Sequence, residues 1–375
     1  MSDVIRIAQV VGKMKGGGVE AMVMNYFRHM EHDRISFDFI IDSDSTIVPR
    51  KEIEHLGGRI FEIAPYQKPI QYQRDLTALF EREKYQIVHS HINAMSIFPL
   101  RAAQKAGVPV RIAHSHSTSG RGEIAKNIVK SMLKQFSRTY PTHLFACSGF
   151  AGEWLFGHKA LADKQIRVVK NAIDKEKFLY REHFRRAMQE RLGLENKLVI
   201  GHVGRFMTQK NHMFLIEIFH ELLKLRKDAV LLLVGDGELI EDVKSNVLAL
   251  GVEKSVRFLG VVDDVENFMQ VMDILLLPSL YEGLGIVAVE AQAIGLKVIA
   301  SDAVPSEAVL TDIMHRISLD KSPRFWAEYI LAESEYDRIS RQDDIVENGY
   351  DIVSVAGELE AFYYQAAFEN MPAYT

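Results

Sequence analysis

Two glutamates, Glu282 and Glu290, lie eight residues apart in the segment SLYEGLGIVAVE and could together bind a ligand that is rich in hydroxyl groups. Within a single helix, this spacing would place them about 80° apart around the axis and about 12 Å apart along it, so they would not converge. Gly283 and Gly285 instead favour a loop that contains Glu282, with a helix that begins near Ile286. The carboxylates would then flank free backbone N–H groups, which can meet a phosphate.

The residues around Glu290 predict that its helix is buried. Its neighbours are all small or apolar: Val287, Ala288, Val289, Ala291 and Ala293. A carboxylate on a buried helix needs a polar partner, because burying a charge without one is costly. A bound ligand could be that partner.

Two cations, Arg205 and Lys210, follow the apolar run at residues 198–203 and precede a helical pattern. A planar guanidinium and a compact ammonium beside a helix N-terminus suit a diphosphate. Charges in a solvated loop are the alternative interpretation. The position after a predicted strand favours the functional one, since parallel sheets bind ligands at the carboxyl ends of their strands.

Gly16, Gly17 and Gly18 stand between the apolar run at residues 5–11 and a helix that opens at Val19. Backbone without side chains lets a ligand approach the N–H groups and the positive end of that helix. The spacing does not match the GxGxxG dinucleotide fingerprint. A plain flexible turn remains an equal alternative.

Two His-x-His pairs, His89 with His91 and His114 with His116, lie at the ends of predicted strands. Alternate residues of a strand face the same way, so each pair could present two imidazoles to a metal. No cluster of acidic residues or cysteines lies nearby in the sequence to complete a metal site. Hydrogen-bonded structural histidines, or histidines that contact a substrate, are therefore the favoured interpretation.

These candidates require parallel sheets to position them, and the apolar pattern predicts such sheets. Short apolar runs alternate with amphipathic segments, which is typical of α/β folds with buried parallel strands. The runs are residues 5–11, 37–41, 59–63, 87–91, 110–114, 144–147, 198–203, 230–234, 256–259, 274–277 and 298–300. The charged stretch 171–194 interrupts the pattern, and it is predicted to be helical after Asp174. We therefore predict domains at residues 1–172 and 173–353, with a C-terminal helix in residues 354–375 that packs back on one of them.

Composition excludes several classes of protein. The 375 residues are 47% hydrophobic and 25% charged, which is ordinary for a globular chain. The net charge is −5, so a globally basic nucleic-acid binder is not expected. One cysteine, Cys147, allows no internal disulfide, and the polar start MSDVIRIAQVVG does not resemble a signal peptide. These features predict a cytoplasmic location.

The motifs together resemble the retaining glycosyltransferases of family 4, which have the GT-B fold of two Rossmann-like domains facing each other across a cleft. The resemblance rests on GGGVE, GRFMTQKN and the Glu-x7-Glu element, with VVKNAID, VGDG, RFLG and PSLYEG in support. It covers nearly the whole chain. The AHSHS and ISLDKSPRFWAE segments are most similar to the branch that builds exopolysaccharide and capsule.

The resemblance implies a donor, most often a UDP-sugar, in the second domain and a glycan or lipid-linked acceptor in the first. Arg205 and Lys210 would neutralise the diphosphate, Glu290 would hold the ribose, and Glu282 would hold the transferred hexose. The resemblance also implies that the backbone of Gly283, Leu284, Gly285 and Ile286 contacts the sugar and the phosphates. The Gly17–Gly18 loop would close over the diphosphate, and His114 or His116 would lie near the reacting carbon. No metal or other cofactor is implied.

When the sugar–phosphate bond breaks, negative charge develops on the leaving diphosphate, and cations can stabilise this charge in place of a metal. No carboxylate is obviously placed as a nucleophile. This favours same-face displacement, which retains the configuration of the sugar. Three alternatives remain open. They are a nucleotide-sugar epimerase of similar fold, a non-catalytic partner of another transferase, and a metal-dependent hydrolase built on the His-x-His pairs.

Residues 101–150 carry eight basic residues against one acid, a net of 8 − 1 = +7, in an otherwise acidic chain. Four of them, Lys126, Lys130, Lys134 and Arg138, recur every fourth residue, beside an apolar face. The stripe could seat this domain on the anionic inner face of the plasma membrane. An ordinary domain helix with solvated lysines is the alternative.

Overall fold

The computed structural model describes residues 4–116 and 132–369. It divides the chain into two units: unit 1 comprises Met1–Ile173 and Gly349–Thr375, and unit 2 comprises Asp174–Asn348. Each unit contains one parallel sheet with helices packed against it.

Unit 1 is built on a seven-stranded parallel sheet with the order β3-β2-β1-β4-β5-β6-β7. The strands are β1 (Ile5–Gly12), β2 (Ile35–Asp42), β3 (Arg59–Ile63), β4 (Ile87–Ser90), β5 (Val110–Ser115), β6 (His143–Ala146) and β7 (Ile166–Val168). The helices before unit 2 are α1 (Gly18–Arg28), α2 (Arg50–His55), α3 (Pro69–Glu83), α4 (Ile97–Lys105), α5 (Gly149–Phe156) and α6 (His158–Ala162). The strand order reverses between β1 and β4, which is where open sheets of this kind bind ligands.

Unit 2 is built on a six-stranded parallel sheet with the order β10-β9-β8-β11-β12-β13. The strands are β8 (Val199–Val203), β9 (Val230–Val234), β10 (Val256–Gly260), β11 (Ile274–Leu277), β12 (Lys297–Ser301) and β13 (Met314–Ile317). The helices are α7 (Glu182–Leu192), α8 (His212–Leu225), α9 (Ile240–Ala249), α10 (Val265–Val271), α11 (Ile286–Ala293), α12 (Pro323–Ala332) and α13 (Gln342–Glu347). The strand order reverses between β8 and β11. The loop that contains Lys210 follows β8, and the loop that contains Glu282 follows β11.

The last helix, α14 (Ile352–Glu369), returns to unit 1. Its buried residues Val355, Leu359 and Tyr363 belong to the same hydrophobic cluster as Ile7 of β1 and Phe37 of β2. The Tyr363 ring meets the Phe37 ring edge to face at 6.1 Å. Helix α14 therefore completes one face of the core of unit 1.

Two strands, β7 and β13, were not predicted, and the reason is the polar and exposed residues that they contain. In β7, Arg167 and Val168 are exposed, and in β13 the two central residues are His315 and Arg316. Neither strand is apolar on both faces, so neither produces a continuous apolar run. Edge position alone does not remove the signal, since the edge strands β3 and β10 were predicted. The helix predicted after Asp174 begins later, at Glu182.

Arg338 fixes the C-terminal end of α11, the helix that carries Glu290. Its guanidinium donates to the carbonyl oxygens of Ile294 at 3.1 Å, Gln270 at 3.0 Å, Met272 at 2.8 Å and Met269 at 3.0 Å. These carbonyls come from the ends of α11 and α10 and from the entry to β11. Burial lowers the pKa of Arg338 to about 10, which leaves it charged at neutral pH.

Replacing Arg338 with methionine is expected to destabilise the protein by about 3 kcal/mol or more, because several buried carbonyls lose their donor. Thermal unfolding measures the change. Arg324→Met is the matched control, because Arg324 is exposed and pairs with Glu328 one turn along α12, and it should alter stability by less than about 1 kcal/mol. Equal effects of the two substitutions would contradict the anchoring role of Arg338.

Candidate active site

The loop after β8 is held by a buried aromatic side chain. Phe206 is fully buried, and its backbone N–H donates to the Asp236 carbonyl at 3.0 Å. Arg205, one residue earlier, is exposed, and its guanidinium has no hydrogen-bond partner among the described residues. Asn211 adopts a left-handed φ of 56° and ends the loop where α8 begins. The Phe206 anchor therefore leaves the Arg205 cation available to a ligand.

Lys210 and Glu282, from two different loops, form an ion pair with Nζ and Oε1 2.6 Å apart. The side chains are only 14% and 9% exposed. Ser279 Oγ donates to the same carboxylate oxygen at 2.8 Å, and Gln209 Nε2 donates to the other at 3.1 Å. Three side chains thus hold the Glu282 carboxylate in one orientation.

The backbone joins these two loops as well. The N–H of Leu280 donates to the Gln209 carbonyl at 2.8 Å, and Asn211 Nδ2 donates to the Pro278 carbonyl at 3.1 Å. The sequence predicted Lys210 and Glu282 as separate contacts to the donor. It did not predict their pairing, nor the parts played by Gln209 and Ser279.

Helix α11 begins at Ile286, as predicted, and Gly285 precedes it with a φ of +81°. Glycine suits this left-handed conformation, which other residues rarely adopt. Leu284 is buried, with 2% exposure, and packs the loop onto unit 2. Since the first N–H groups of a helix have no intrahelical acceptor, the start of α11 can meet a phosphate oxygen.

Glu290 lies one turn into α11, and no described residue donates a hydrogen bond to its carboxylate. Burial raises the pKa of Glu290 to about 7, and the nearby Glu266 carboxylate contributes to the rise. The carboxylate is therefore poised between its charged and neutral forms at physiological pH. This is the environment in which a ligand that donates hydrogen bonds would be favoured.

In the glycine loop of unit 1, an acidic side chain already occupies part of the predicted anion site. Glu20 Oε2 accepts from the N–H of Gly17 at 2.6 Å, and its Oε1 accepts from the N–H of Lys15 at 2.9 Å. Helix α1 begins at Gly18, where an added Cβ would meet no atom within 4 Å. A phosphate that binds the Gly17 amide would have to displace Glu20, which the sequence did not predict.

The His-x-His pairs meet at the carboxyl ends of β4 and β5. His89 Nε2 is 3.0 Å from His114 Nδ1, and His91 Nδ1 is 2.9 Å from His116 Nε2. All four rings are buried. Burial lowers the pKa of His116 to about 3 and lowers the pKa of the other three well below the usual histidine value. The four imidazoles are therefore neutral at physiological pH.

This cluster could also be considered as a metal site, since ligand atoms of His89, His91 and His114 lie within 4.8 Å of one another. Two of these histidines, however, bond to each other through His89 Nε2 and His114 Nδ1. A metal bound at either atom would break that hydrogen bond. The geometry fits a polar network better than a metal centre.

Only part of the predicted basic stripe lies in the described residues. Lys126 and Lys130 fall outside them. The ammonium of Lys134 stands 5.3 Å from the centre of the Trp154 ring, and Arg138 donates to Gln165 Oε1 at 2.8 Å. Among residues 4–116 and 132–369, no helix combines the length and the apolar character needed to cross a membrane.

Two protein families match the chain, one over each half. The family described as Glycosyltransferase Family 4 matches residues 16–177, and the family described as Glycosyl transferases group 1 matches residues 184–349.

Among similar proteins, the one described as glycosyltransferase EpsF of Bacillus subtilis is 32% identical over 370 residues, which cover 96% of both chains. A UDP-Gal:α-D-GlcNAc-diphosphoundecaprenol α-1,3-galactosyltransferase of Escherichia coli is 28% identical over 80% of this chain and 79% of its own. The capsular polysaccharide biosynthesis glycosyltransferase CapH of Staphylococcus aureus is 24% identical over 96% of this chain and 98% of its own.

Solved structures share the fold. The crystal structure of Anabaena HepE in complex with UDP-glucose matches 96% of this chain and 100% of its own, with a TM-score of 0.78 and 17% identity. That of WaaG, a glycosyltransferase involved in lipopolysaccharide biosynthesis, matches 96% of this chain and 99% of its own, with a TM-score of 0.72 and 16% identity.

Proposed function

The chain belongs to the family 4 glycosyltransferases and has their GT-B fold, and from this premise we propose that it transfers a hexosyl unit from a UDP-sugar to a lipid-linked acceptor. Glycosyl transfer in polysaccharide biosynthesis follows from the family and its relatives. The finer assignment draws on the UDP-glucose complex of HepE and on the diphosphoundecaprenol acceptor in the name of the Escherichia coli relative.

The single observation that carries the proposal is the Lys210–Glu282 ion pair, which joins the loop after β8 to the loop that leads into α11. Breaking a sugar–phosphate bond builds negative charge on the departing diphosphate. Lys210, the exposed Arg205 and the free N–H groups at the start of α11 can stabilise that charge without reorganising. Glu290, half-buried and without a described donor, can accept hydrogen bonds from the ribose hydroxyls.

We propose that transfer retains the anomeric configuration. The Glu282 carboxylate accepts from Lys210, Gln209 and Ser279, so it is engaged rather than free to attack the sugar as a nucleophile. This supports same-face displacement, in which the leaving phosphate and the incoming hydroxyl occupy one side of the sugar. Proton NMR of the first product formed from an α-linked donor tests it, since an initial β-linked product would contradict retention.

Binding of the donor can be tested before any acceptor is known. We expect UDP and UDP-hexoses to raise the unfolding temperature more than the matching GDP- and ADP-sugars. At a concentration 100 times the dissociation constant, a ligand stabilises by about 2.7 kcal/mol, which thermal unfolding resolves. The shift should persist in a chelator, since the diphosphate is held by protein cations in this proposal. If neither UDP nor any UDP-hexose raised the unfolding temperature, the assignment of a UDP-sugar donor would be contradicted.

Neither enzymatic alternative gains support from the relatives, because those named above are described as glycosyltransferases. Incubation with a UDP-sugar alone separates an epimerase from a transferase. The epimerase would accumulate a second sugar nucleotide, whereas a transferase would release UDP slowly by hydrolysis. A non-catalytic partner would do neither.

A lipid-linked acceptor implies work at a membrane, and we propose that the basic stripe seats a cytoplasmic enzyme on anionic lipid. Changing Lys126, Lys130 and Lys134 together to glutamate should abolish salt-sensitive sedimentation with anionic liposomes, since each basic residue near the surface contributes about 1 kcal/mol. A matched triple change of exposed lysines elsewhere, Lys51, Lys159 and Lys227, should leave binding largely intact. Equal binding by both variants, or no binding by wild type, would contradict the proposal.

A further inference from the structure

The four buried histidines of unit 1 belong to a longer hydrogen-bonded network that includes Gln9 of β1 and Tyr363 of α14. Gln9 Oε1 is 2.7 Å from His91 Nε2, and Gln9 Nε2 donates to the Tyr363 hydroxyl at 3.2 Å. The same hydroxyl is 2.6 Å from His89 Nδ1. Gln9 is 1% exposed and Tyr363 is fully buried.

The direction of each hydrogen bond follows from the Gln9 amide. Its oxygen can only accept, so His91 donates from Nε2 and, being neutral, keeps a bare Nδ1. That atom accepts from His116 Nε2. His116 is then left with a bare Nδ1, which is buried and has no partner among the described residues.

From the other side of the Gln9 amide, a second chain of hydrogen bonds runs through Tyr363 and His89 to His114, and its donors point away from Gln9. The amide nitrogen of Gln9 donates to Tyr363, whose own hydrogen then points to His89 Nδ1. His89 therefore carries its hydrogen on Nε2 and donates to His114 Nδ1. His114 is left with an N–H at Nε2, which is also buried and without a described partner. Burial raises the pKa of the Tyr363 hydroxyl, so the hydroxyl keeps the hydrogen that it donates to His89.

The two ends of the network lie side by side, with the ring centres of His114 and His116 3.9 Å apart. One end is an unsatisfied donor and the other an unsatisfied acceptor, and each such buried group costs about 1–3 kcal/mol. A hydroxyl group can accept from one and donate to the other. A sugar hydroxyl would satisfy both ends.

We propose that Gln9 and Tyr363 are positioning residues that hold all four histidines as Nε2–H tautomers, so that His114 and His116 offer one donor and one acceptor to a hydroxyl of the acceptor substrate. The acceptor role of His114 and His116 rests on the proposed function, together with the implication of the family resemblance that the first domain binds the acceptor. The tautomer part rests on the hydrogen bonds alone.

Nitrogen NMR of the full chain labelled at histidine reads the tautomers directly, with peaks assigned through single His→Gln variants. Wild type should show Nε2–H at His89, His91, His114 and His116. In Gln9→Glu, the carboxylate only accepts, so Tyr363 turns its hydrogen toward it. His89 and His114 should then switch to Nδ1–H, while His91 and His116 stay unchanged.

Tyr363→Phe is the second variant, and Tyr72→Phe is its control, because Tyr72 is buried in unit 1 with no described partner for its hydroxyl. Loss of the Tyr363 hydroxyl should mix the tautomers of His89 and His114 alone, and the control should change none. An Nδ1–H at any of the four in wild type would overturn the assignment. So would unchanged His89 and His114 tautomers in both Gln9→Glu and Tyr363→Phe.

The catalytic consequence is measured separately. With GlcNAc-diphosphoundecaprenol as acceptor probe, transfer by Gln9→Glu should fall about tenfold, the cost of one misdirected hydrogen bond, while UDP affinity in unit 2 stays within about twofold. Wild-type transfer in a variant whose tautomers have switched would overturn the role in acceptor binding. Failure of UDP to bind wild type would instead refute the proposed function and leave the tautomer assignment standing.

Discussion

Replacing Lys210 with alanine is expected to lower the rate of glycosyl transfer by about 100-fold or more. In the proposed function, Lys210 stabilises the negative charge that builds on the leaving diphosphate, and losing one such interaction typically costs a few kcal/mol in the transition state. The substitution also leaves the Glu282 carboxylate, only 9% exposed, with Ser279 and Gln209 as its remaining donors. Initial rates with a UDP-sugar and acceptor measure the loss.

A double variant separates the loss of catalysis from loss of structure. Lys210→Met leaves a buried carboxylate unpaired and should lower stability by a few kcal/mol, whereas Lys210→Met with Glu282→Gln removes both charges and should recover most of it. Transfer should stay low in both. Lys224→Ala, a change at an exposed lysine of α8, is the control and should transfer normally. Recovery of transfer along with stability would contradict a direct role for Lys210.

Replacing Glu290 with glutamine is expected to lower transfer by about 100-fold and yet to stabilise the protein at neutral pH. The loss is expected because, in the proposed function, the Glu290 carboxylate accepts hydrogen bonds from the ribose hydroxyls, and hydrogen bonds to charged groups are the stronger ones. The gain arises because the folded protein raises the pKa of Glu290 from the ordinary 4.5 to about 7. An improvement in stability together with a loss of activity marks a functional residue.

The sign of the pH dependence follows from proton binding. Between pH 4.5 and 7 the unfolded chain releases a proton that folded Glu290 keeps, so wild-type stability falls as the pH rises through this window. Glutamine does not titrate. The unfolding temperature of Glu290→Gln should therefore match wild type below the window, exceed it increasingly across the window, and keep a constant excess above it.

Thermal unfolding from pH 4 to pH 8 checks this behaviour. Glu266→Gln is an informative control, because it removes the neighbouring carboxylate that contributes to the raised pKa of Glu290. When Glu266→Gln is already present, the increase in unfolding temperature that Glu290→Gln produces should be smaller. A gain that is independent of pH would show that Glu290 does not ionise as described.

Much of the fold could be predicted, because buried parallel strands leave continuous apolar runs in the sequence. The run at residues 230–234 coincides with β9, and the start of α11 at Ile286 followed from Gly283 and Gly285. Strand β13, where His315 and Arg316 stand in the middle, has no such signature.

The candidate site was predictable only where its residues lie close together in the chain. Arg205 with Lys210, and Glu282 with Glu290, stand out through their spacing, and their roles remain predictions. The pairing of Lys210 with Glu282 spans 72 residues and depends on which strands are neighbours in the sheet. Tyr363 lies 274 residues from His89, so no local signal in the sequence connects the two.

The return of α14 to unit 1 has a consequence for biosynthesis. A ribosome releases the chain from its N-terminus, so residues 4–173 emerge before Ile352–Glu369, with all of unit 2 synthesised in between. Until then the surface that Val355, Leu359 and Tyr363 cover lacks its apolar partner, and His89 lacks the hydroxyl that orients it. Unit 2 can complete its core first. The histidine network can thus form in full only after α14 has been translated, among the last steps of maturation.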